Sequence, residues 1–391
     1  MSRSRAAPSA RGVVGAWLLV ASILAFAVVT GIGAFAVRGA PAGAWTSAAS
    51  MRVPRMYHGA TLLQDGRVLV TGGDAQSPTA EARAEIYSAS TNSWTATASM
   101  SVGRMFHTAT LLGDGRVLVA GGCGKGTPCD TVLASAEIYD PRTALWSPIA
   151  PLPSPRLFHT ATLLRDGRVL VAGGCVSDPC EEGLSSGEIF DPASGSWTSA
   201  GNMAQGRQFH SASLLPDGRV LVAGGCAYEM CPTPFTSAEL FDPSTSGWSS
   251  ARNLAEGRFL HSATLLADGR VLVAGGLAGP DAALASSELY DPATGSWSVT
   301  GVMGGARECH AAVRLADGRV LAAAGYSGGF LSSTEIYDPI AGSWTQVDDL
   351  AGARDCPGNA LLQDGRVLFA GGIGNPNNPL ASVEVYAPVG P

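Results

Sequence analysis

Short apolar runs alternate with tight-turn residues along this chain, always in the same order. A run such as Ala109-Thr110-Leu111-Leu112 comes first. Asp114-Gly115 follows, and that pair favours a two-residue hairpin turn because glycine accepts φ > 0. Val117-Leu118-Val119-Ala120 is apolar at every position, the pattern of a strand buried on both faces. Gly121-Gly122 ends it, where the chain bends or another backbone approaches closely. Glu137-Ile138-Tyr139-Asp140-Pro141 alternates into a turn initiator, and Trp146 opens a fourth segment. The Asp-Gly-Arg element begins again at Asp65, Asp114, Asp166, Asp217, Asp268, Asp317 and Asp364, at intervals of 47 to 52 residues. A period of that length marks one supersecondary unit repeated. Four short strands per unit predict an all-β fold, a seven-bladed propeller of four-stranded blades.

The tryptophans predict how the ring closes. Trp94, Trp146, Trp197, Trp248, Trp297 and Trp344 each open a fourth strand, and the seventh unit stops at Glu384-Val385-Tyr386 without one. The missing strand stands at the other end, at Trp45-Thr46-Ser47-Ala48. An N-terminal strand that completes the last blade removes two edges that would otherwise template aggregation.

Residues 1–38 are different in kind. Arg3, Arg5 and Arg11 precede an uncharged run from Gly12 to Val37. That run is long enough to span a bilayer as one hydrophobic helix. A secretory signal peptide has the same order of regions, and both Ala34-Phe35-Ala36 and Ala42-Gly43-Ala44 offer a small-residue cleavage site. The segment is therefore read as a signal peptide or as an N-terminal anchor holding the membrane through residues 12–37. The flanking arginines place the propeller of residues 39–391 outside the cytoplasm in either case. The chain carries a net charge of −7, and its first four arginines stand before the repeats, so the repeat body is more acidic still. That balance argues against nucleic acid, which draws a basic stripe.

The glycine pair after the second strand, the tyrosine near the end of the third and the tryptophan six or seven residues on together resemble the Kelch repeat. The resemblance covers Trp45 to about Tyr386. It implies the propeller and leaves the function open, since one fold hosts many activities. Galactose-oxidase-like enzymes share this architecture around a copper held by tyrosines and by histidines outside the repeat register. All six histidines here, His58, His107, His159, His210, His261 and His310, sit three residues after a repeat arginine. That placement predicts a structural role once per blade, no metal site and no cofactor.

Two further repeated side chains carry charge. Arg55, Arg104, Arg156, Arg207, Arg258, Arg307 and Arg354 enter the innermost strand and are candidates to ring one channel mouth and hold a ligand. The competing expectation pairs each with a glutamate or carbonyl of its own blade. The repeat glutamates, such as Glu137 and Glu239, are identical in every unit and do not form the unlike pair that acid–base catalysis needs. The informative residues break the repeat. After the arginine, units one to five carry Met56, Met105, Leu157, Gln208 and Phe259, whereas units six and seven carry Glu308 and Asp355. One position on, Tyr57, Phe106, Phe158, Phe209 and Leu260 give way to Cys309 and Cys356. The mouth is thus expected to have an aromatic arc and an acidic arc.

The longest loops between strands two and three belong to units two, three and four, and they hold Cys123 and Cys129, Cys175 and Cys180, and Cys226 and Cys231. No Cys-x-x-Cys spacing or neighbouring histidine points to zinc, so local disulfides are expected, as in an exported protein. Cys309 and Cys356 remain, at equivalent positions of adjacent blades. A disulfide between them is expected, and two free thiols are the alternative. Two functions follow from these readings. One is a non-catalytic binding module for a glycan or protein ligand on the loop face. The other is a sugar-active isomerase or hydrolase that uses an arginine with Glu308 and Asp355.

Overall fold

A computed structural model describes residues 43–77, 79–125, 129–228 and 231–389. The hydrophobic helix expected within residues 1–38 lies outside the described residues. The rest forms seven four-stranded antiparallel sheets in a ring, plus a small two-stranded ribbon at Ile373–Gly374 and Asn378–Pro379. In blade 2 the strands run Thr108–Leu111, Val117–Ala120, Ala136–Asp140 and Leu145–Ile149, from the channel outward. The second strand is buried at all four positions in every blade, as its unbroken apolar run requires. Side chains of one blade pack on those of the next: Val169, Val171 and Phe190 of blade 3 share a core with Leu118 and Ile138 of blade 2. Among the described residues no helix is long and apolar enough to cross a membrane.

Blade 7 is composite. Its first three strands, Gly358–Leu361, Val367–Ala370 and Val383–Ala387, are completed by Ala44–Ala48, with Trp45 opposite Tyr386. Trp45 packs its ring on Phe369 and Tyr386, at 5.0 and 5.2 Å between centroids. In blades 1 to 5 the fourth-strand indole donates to a backbone carbonyl of the preceding unit, as Trp248 does to Ala200 at 2.8 Å. Trp344 and Trp45 instead donate to the hydroxyls of Ser287 and Thr334 in the preceding blade, both at 3.1 Å.

The glycine pair is explained by what crowds it. Gly173 has φ +64°, and a Cβ there would lie 2.5 Å from the Arg207 carbonyl oxygen and 2.6 Å from the His210 ring of the next blade. Blade 6 alone has alanine here, Ala324 at φ 67°. The next blade carries Pro357 where the others carry histidine, so no imidazole presses on that methyl group. Gly173→Ala should therefore cost about 2–4 kcal/mol, from the left-handed backbone and the overpacking together. Urea titration checks this. A cost below about 0.5 kcal/mol would show that the neighbouring imidazole gives way freely.

Candidate functional site

The repeat arginines do not line the mouth, and the expectation that they hold a ligand is corrected. The guanidinium groups of Arg55, Arg104, Arg156, Arg207, Arg258, Arg307 and Arg354 are buried to within 1%. Arg207 shows the pattern. Its Nη1 donates to the carbonyls of Gly224 (2.8 Å) and Ser237 (3.1 Å), and its Nη2 to Ser237 Oγ (3.2 Å) and Glu239 Oε1 (2.8 Å). Glu239 Oε2 in turn accepts the Ala204 N–H at 2.8 Å. A planar fork with five donors suits this blade-internal task better than a lysine would. Arg and Glu together tie the strand entry, the glycine pair and the third strand into one unit. Blade 3 departs: Arg156 stands 3.5 Å from Glu188, and burial holds the Glu188 carboxyl above its ordinary value. Pro153 occupies the place of Ala204 there and has no N–H to give.

The histidines are also structural. His159, His210, His261 and His310 share Nε2 with the hydroxyls of Thr108, Thr160, Ser211 and Ser262 of the preceding blade, at 2.9 to 3.1 Å. Blade 1 has Gly59 at the equivalent position, and His107 turns instead to Thr71 on the paired strand, at 3.0 Å. His58 faces Gly358 across the closing seam and has no hydroxyl partner at all. Burial first, then the neighbouring arginine, hold His58, His159, His261 and His310 down to about 3. Copper sites need converging imidazole nitrogens. These six are spaced one per blade, each with its Nδ1 buried, so their nitrogens do not converge and do not fit such an ion.

The channel mouth is built on backbone strain. Tyr57, Phe106, Phe158, Phe209, Leu260, Cys309 and Cys356 all adopt φ between 46° and 57°. Non-glycine residues rarely enter this left-handed region, and each such residue costs of order 1 kcal/mol. The geometry passes a backbone hydrogen bond from blade to blade: Leu260 N to Phe209 O (3.2 Å), Cys309 N to Leu260 O (3.0 Å), Cys356 N to Cys309 O (3.0 Å). It also lays the side chains edge to edge around the ring. Tyr57 and Phe106 lie 4.1 Å apart, Phe106 and Phe158 4.7 Å, Phe158 and Phe209 4.2 Å. Cys309 and Cys356 continue the ring as a disulfide, with Cα atoms 5.0 Å apart.

One of the two repeat-breaking acids lies at this disulfide. A carboxylate oxygen of Asp355 lies within 4.8 Å of both sulfurs. Asp355 is 8% exposed, and its Oδ1 has no hydrogen-bond partner. Burial, then the charge of Glu308, push the Asp355 carboxyl well above the ordinary carboxylate range. Burial pushes Glu308 up to about 7. The Tyr57 phenol is raised by burial and then by Asp355, Glu308 and Asp74. Asp74 follows the glycine pair of blade 1, and its carboxylate accepts the Gln76 N–H at 2.6 Å. Sequence reading missed Asp74 because the other units carry an apolar, aromatic or cysteine side chain there. Gln208, which the sequence groups with the apolar residues after the arginine, is fully buried with neither amide atom partnered.

The loop face surrounds this mouth. Cys123–Cys129, Cys175–Cys180 and Cys226–Cys231 are disulfides, each closing its own loop. Among the described residues no cysteine is free. The loop disulfides pack on the mouth residues: Cys175 and Cys180 touch Leu157, with Phe106 and Phe158 against them. Tyr228 and Val176 stand 57% and 45% exposed on these loops. Tyr228, Phe235 and Gln205 line a shallow depression of about 250 Å³ between blades 3 and 4. A larger one of about 540 Å³ lies on the opposite face, where Asp166 and Asp217 are already paired with Arg168 and Arg219 at 2.7 Å.

Comparison with known proteins agrees with this architecture. Residues 44–225 match the KLHDC2/KLHL20/DRC7 Kelch-repeats domain, and residues 309–351 match the Kelch motif. Kelch-like protein 15 of Danio rerio is 28% identical over 166 residues, which cover 38% of this chain and 27% of that protein. Galactose oxidase of Gibberella zeae is 33% identical over 122 residues, 30% of this chain and 16% of that enzyme. This chain therefore aligns with about a quarter or less of each relative's length. A fungal alcohol oxidase of the AA5 family, solved in complex with copper, superposes with a TM-score of 0.71 at 18% identity. That match covers 89% of this chain and 76% of the oxidase chain, and it carries the fold alone. Repeat grammar, ring geometry and family matches coincide, and the chain belongs to the Kelch-repeat β-propellers.

Proposed function

We propose that this chain is an extracytoplasmic binding propeller that takes a glycan or protein ligand on the face carrying the strand 2–3 loops and the channel mouth. One observation carries the reading. The seven Arg–Glu pairs are sealed inside the blades and the six histidines turn a buried ring nitrogen into the seams between blades, whereas the residues that vary between blades gather on one face. Four disulfides fit an oxidising compartment. Three of them brace the loops of that face, which preorganises a surface and lowers the ordering cost of binding. The Asp-Gly turns opposite repeat the same Asp–Arg pair and offer little to select with. Retention by residues 12–37, if they stay in the mature chain, would display the loop face at the membrane surface.

The test is a loop graft. Replacing the segment from Cys175 to Glu182 with the shorter unit-five loop should abolish binding on a glycan array, or to a protein ligand found by crosslinking, with the melting temperature held within a few degrees. Loss of binding from substitutions in the Asp-Gly turns of a folded protein would place the site on the wrong face. A second reading draws on Glu308 and Asp355, two acids in unlike environments, the situation acid–base catalysis uses. It makes the chain a sugar-active enzyme. The arginine it would recruit is sealed by its glutamate, so the chemistry would rest on the two carboxyls and Tyr57.

A further inference from the structure

We infer that the mouth between blades 6, 7 and 1 is a receptor for an organic ammonium group, with Asp355 and Glu308 taking the charge and the Tyr57–Phe106 face taking the alkyl surface. The inference rests on the loop-face reading and names the chemical class of its ligand. Its first support is an imbalance. Asp74, Glu308 and Asp355 all raise the Tyr57 phenol, and among the described residues neither Glu308 nor Asp355 is ion-paired with an arginine, while Arg307 and Arg354 beside them pair elsewhere. The nearest cations, Arg55, Arg307 and Arg354, are bonded to Glu85, Glu335 and Glu384 at 2.6 to 2.9 Å. The second support is independent of the charge count. Asp355 is more than nine-tenths buried, yet its Oδ1 has no partner, beside the disulfide at the ring of the mouth. A buried carboxyl oxygen without a partner is costly to keep, and a ligand that donates to it removes that cost.

The surroundings choose among cations. Hard metal ions want six or more oxygen ligands. Here two of the three clustered donors are sulfurs joined in a disulfide, so they offer no thiolate. An aromatic face beside carboxylates is the setting that holds an alkylated ammonium, by cation–π attraction and apolar contact together. Tyr57 stacked on Phe106 at 4.1 Å supplies that face next to Glu308 and Asp355. The groups facing the bound charge are Asp74 and Tyr57 of blade 1, Glu308 of blade 6 and Asp355 of blade 7.

The full chain with its disulfides intact is titrated calorimetrically with choline, with 3,3-dimethylbutan-1-ol as the neutral isostere, and with calcium. Choline should bind saturably at pH 8, and at least tenfold more weakly at pH 5.5, where Glu308, raised to about 7, holds its proton. Asp355→Asn should lose tenfold or more of that affinity at pH 8. Its melting temperature should stay the same or rise, because a buried carboxyl that favours its neutral form is replaced by a neutral amide of the same shape. The inference is overturned by equal affinity for the neutral isostere, by calcium binding in place of choline, or by a folded Asp355→Asn variant that keeps full affinity. Absence of choline binding also overturns it. The loop-face reading then still stands if glycan or protein binding persists and is lost in the Cys175–Glu182 graft.

Discussion

Taking this propeller from pH 7 to pH 5 should lower its stability steeply. The cause is the six imidazoles, each with a buried Nδ1 that has no hydrogen-bond partner. His58, His159, His261 and His310 have folded-state values of about 3, and His107 and His210 are likewise held well below the ordinary value, all by burial first. A folded value depressed below the unfolded one gives stability that is present above about pH 6.5 and is lost as pH falls toward the folded value. At pH 5 each unfolded-state imidazole is protonated and each folded-state one is not. The difference is about 2 kcal/mol for each imidazole that stays unprotonated in the fold, and it hardly depends on how far below 5 the folded value lies. Whole-domain stabilities are about 5–15 kcal/mol. The acids at the mouth work the other way. Their folded values are raised, so their stabilising share is complete at low pH and is lost as pH rises, through about 7 for Glu308. Two groups return only part of what six remove. Melting temperatures followed by circular dichroism from pH 8 to pH 4 should fall steeply below pH 6. A curve flat to pH 4.5 would mean that the imidazoles find protons or water without unfolding.

This acid sensitivity was only half legible in the sequence. Six histidines in one register announced a structural role. Nothing in Arg-x-x-His says that the arginine is sealed, because an arginine before a strand in a polar stretch reads equally well as a mouth residue. The deciding partners, Gly224 and Glu239 for Arg207, lie 17 and 32 residues away. The seven left-handed residues at the mouth were hidden for a different reason. Glycine and asparagine signal that conformation, whereas Tyr57, Phe106 and Phe158 do not. Some departures became readable only in pairs across blades. Ala324 is tolerated because Pro357 replaces the next histidine, and Glu188 is displaced because Pro153 lacks a donor. His58 is left without a hydroxyl because Gly358 stands at the seam. The fold itself was open to reading, since Asp-Gly, Gly-Gly and Trp act locally and recur with a period. The Cys309–Cys356 bond was legible too, because equivalent positions on neighbouring inner strands are neighbours in space.

Removing residues 1–48 should destabilise the whole ring by more than any single core substitution. The strand Ala44–Ala48 is the outermost strand of blade 7, paired along its length with Val383–Ala387. Without it that strand becomes an open edge, free to pair with another chain. Trp45 contributes more than its ladder bonds. Its indole bridges blade 7 to Thr334 of blade 6, and its ring covers Phe369 and the fully buried Tyr386. Loss of a packed tryptophan alone costs about 3–5 kcal/mol. The backbone pairing of five residues adds to that, so truncation should lower the melting temperature by at least about 10 °C and bring concentration-dependent aggregation. A ring transmits the damage, because blade 7 packs on blade 6 on one side and on blade 1 on the other. Ala49 also accepts from Trp94 at 2.7 Å, so the chain leaving the closing strand is fastened to blade 1 as well. Trp45→Ala in the full chain separates packing from pairing. It should keep the monomer, since the edge stays covered, and should still lose about 3–5 kcal/mol. Residues 49–391 that melted with the full-length protein and stayed monomeric would show that blade 7 stands without its fourth strand, and closure by the N-terminal segment would then carry no stability.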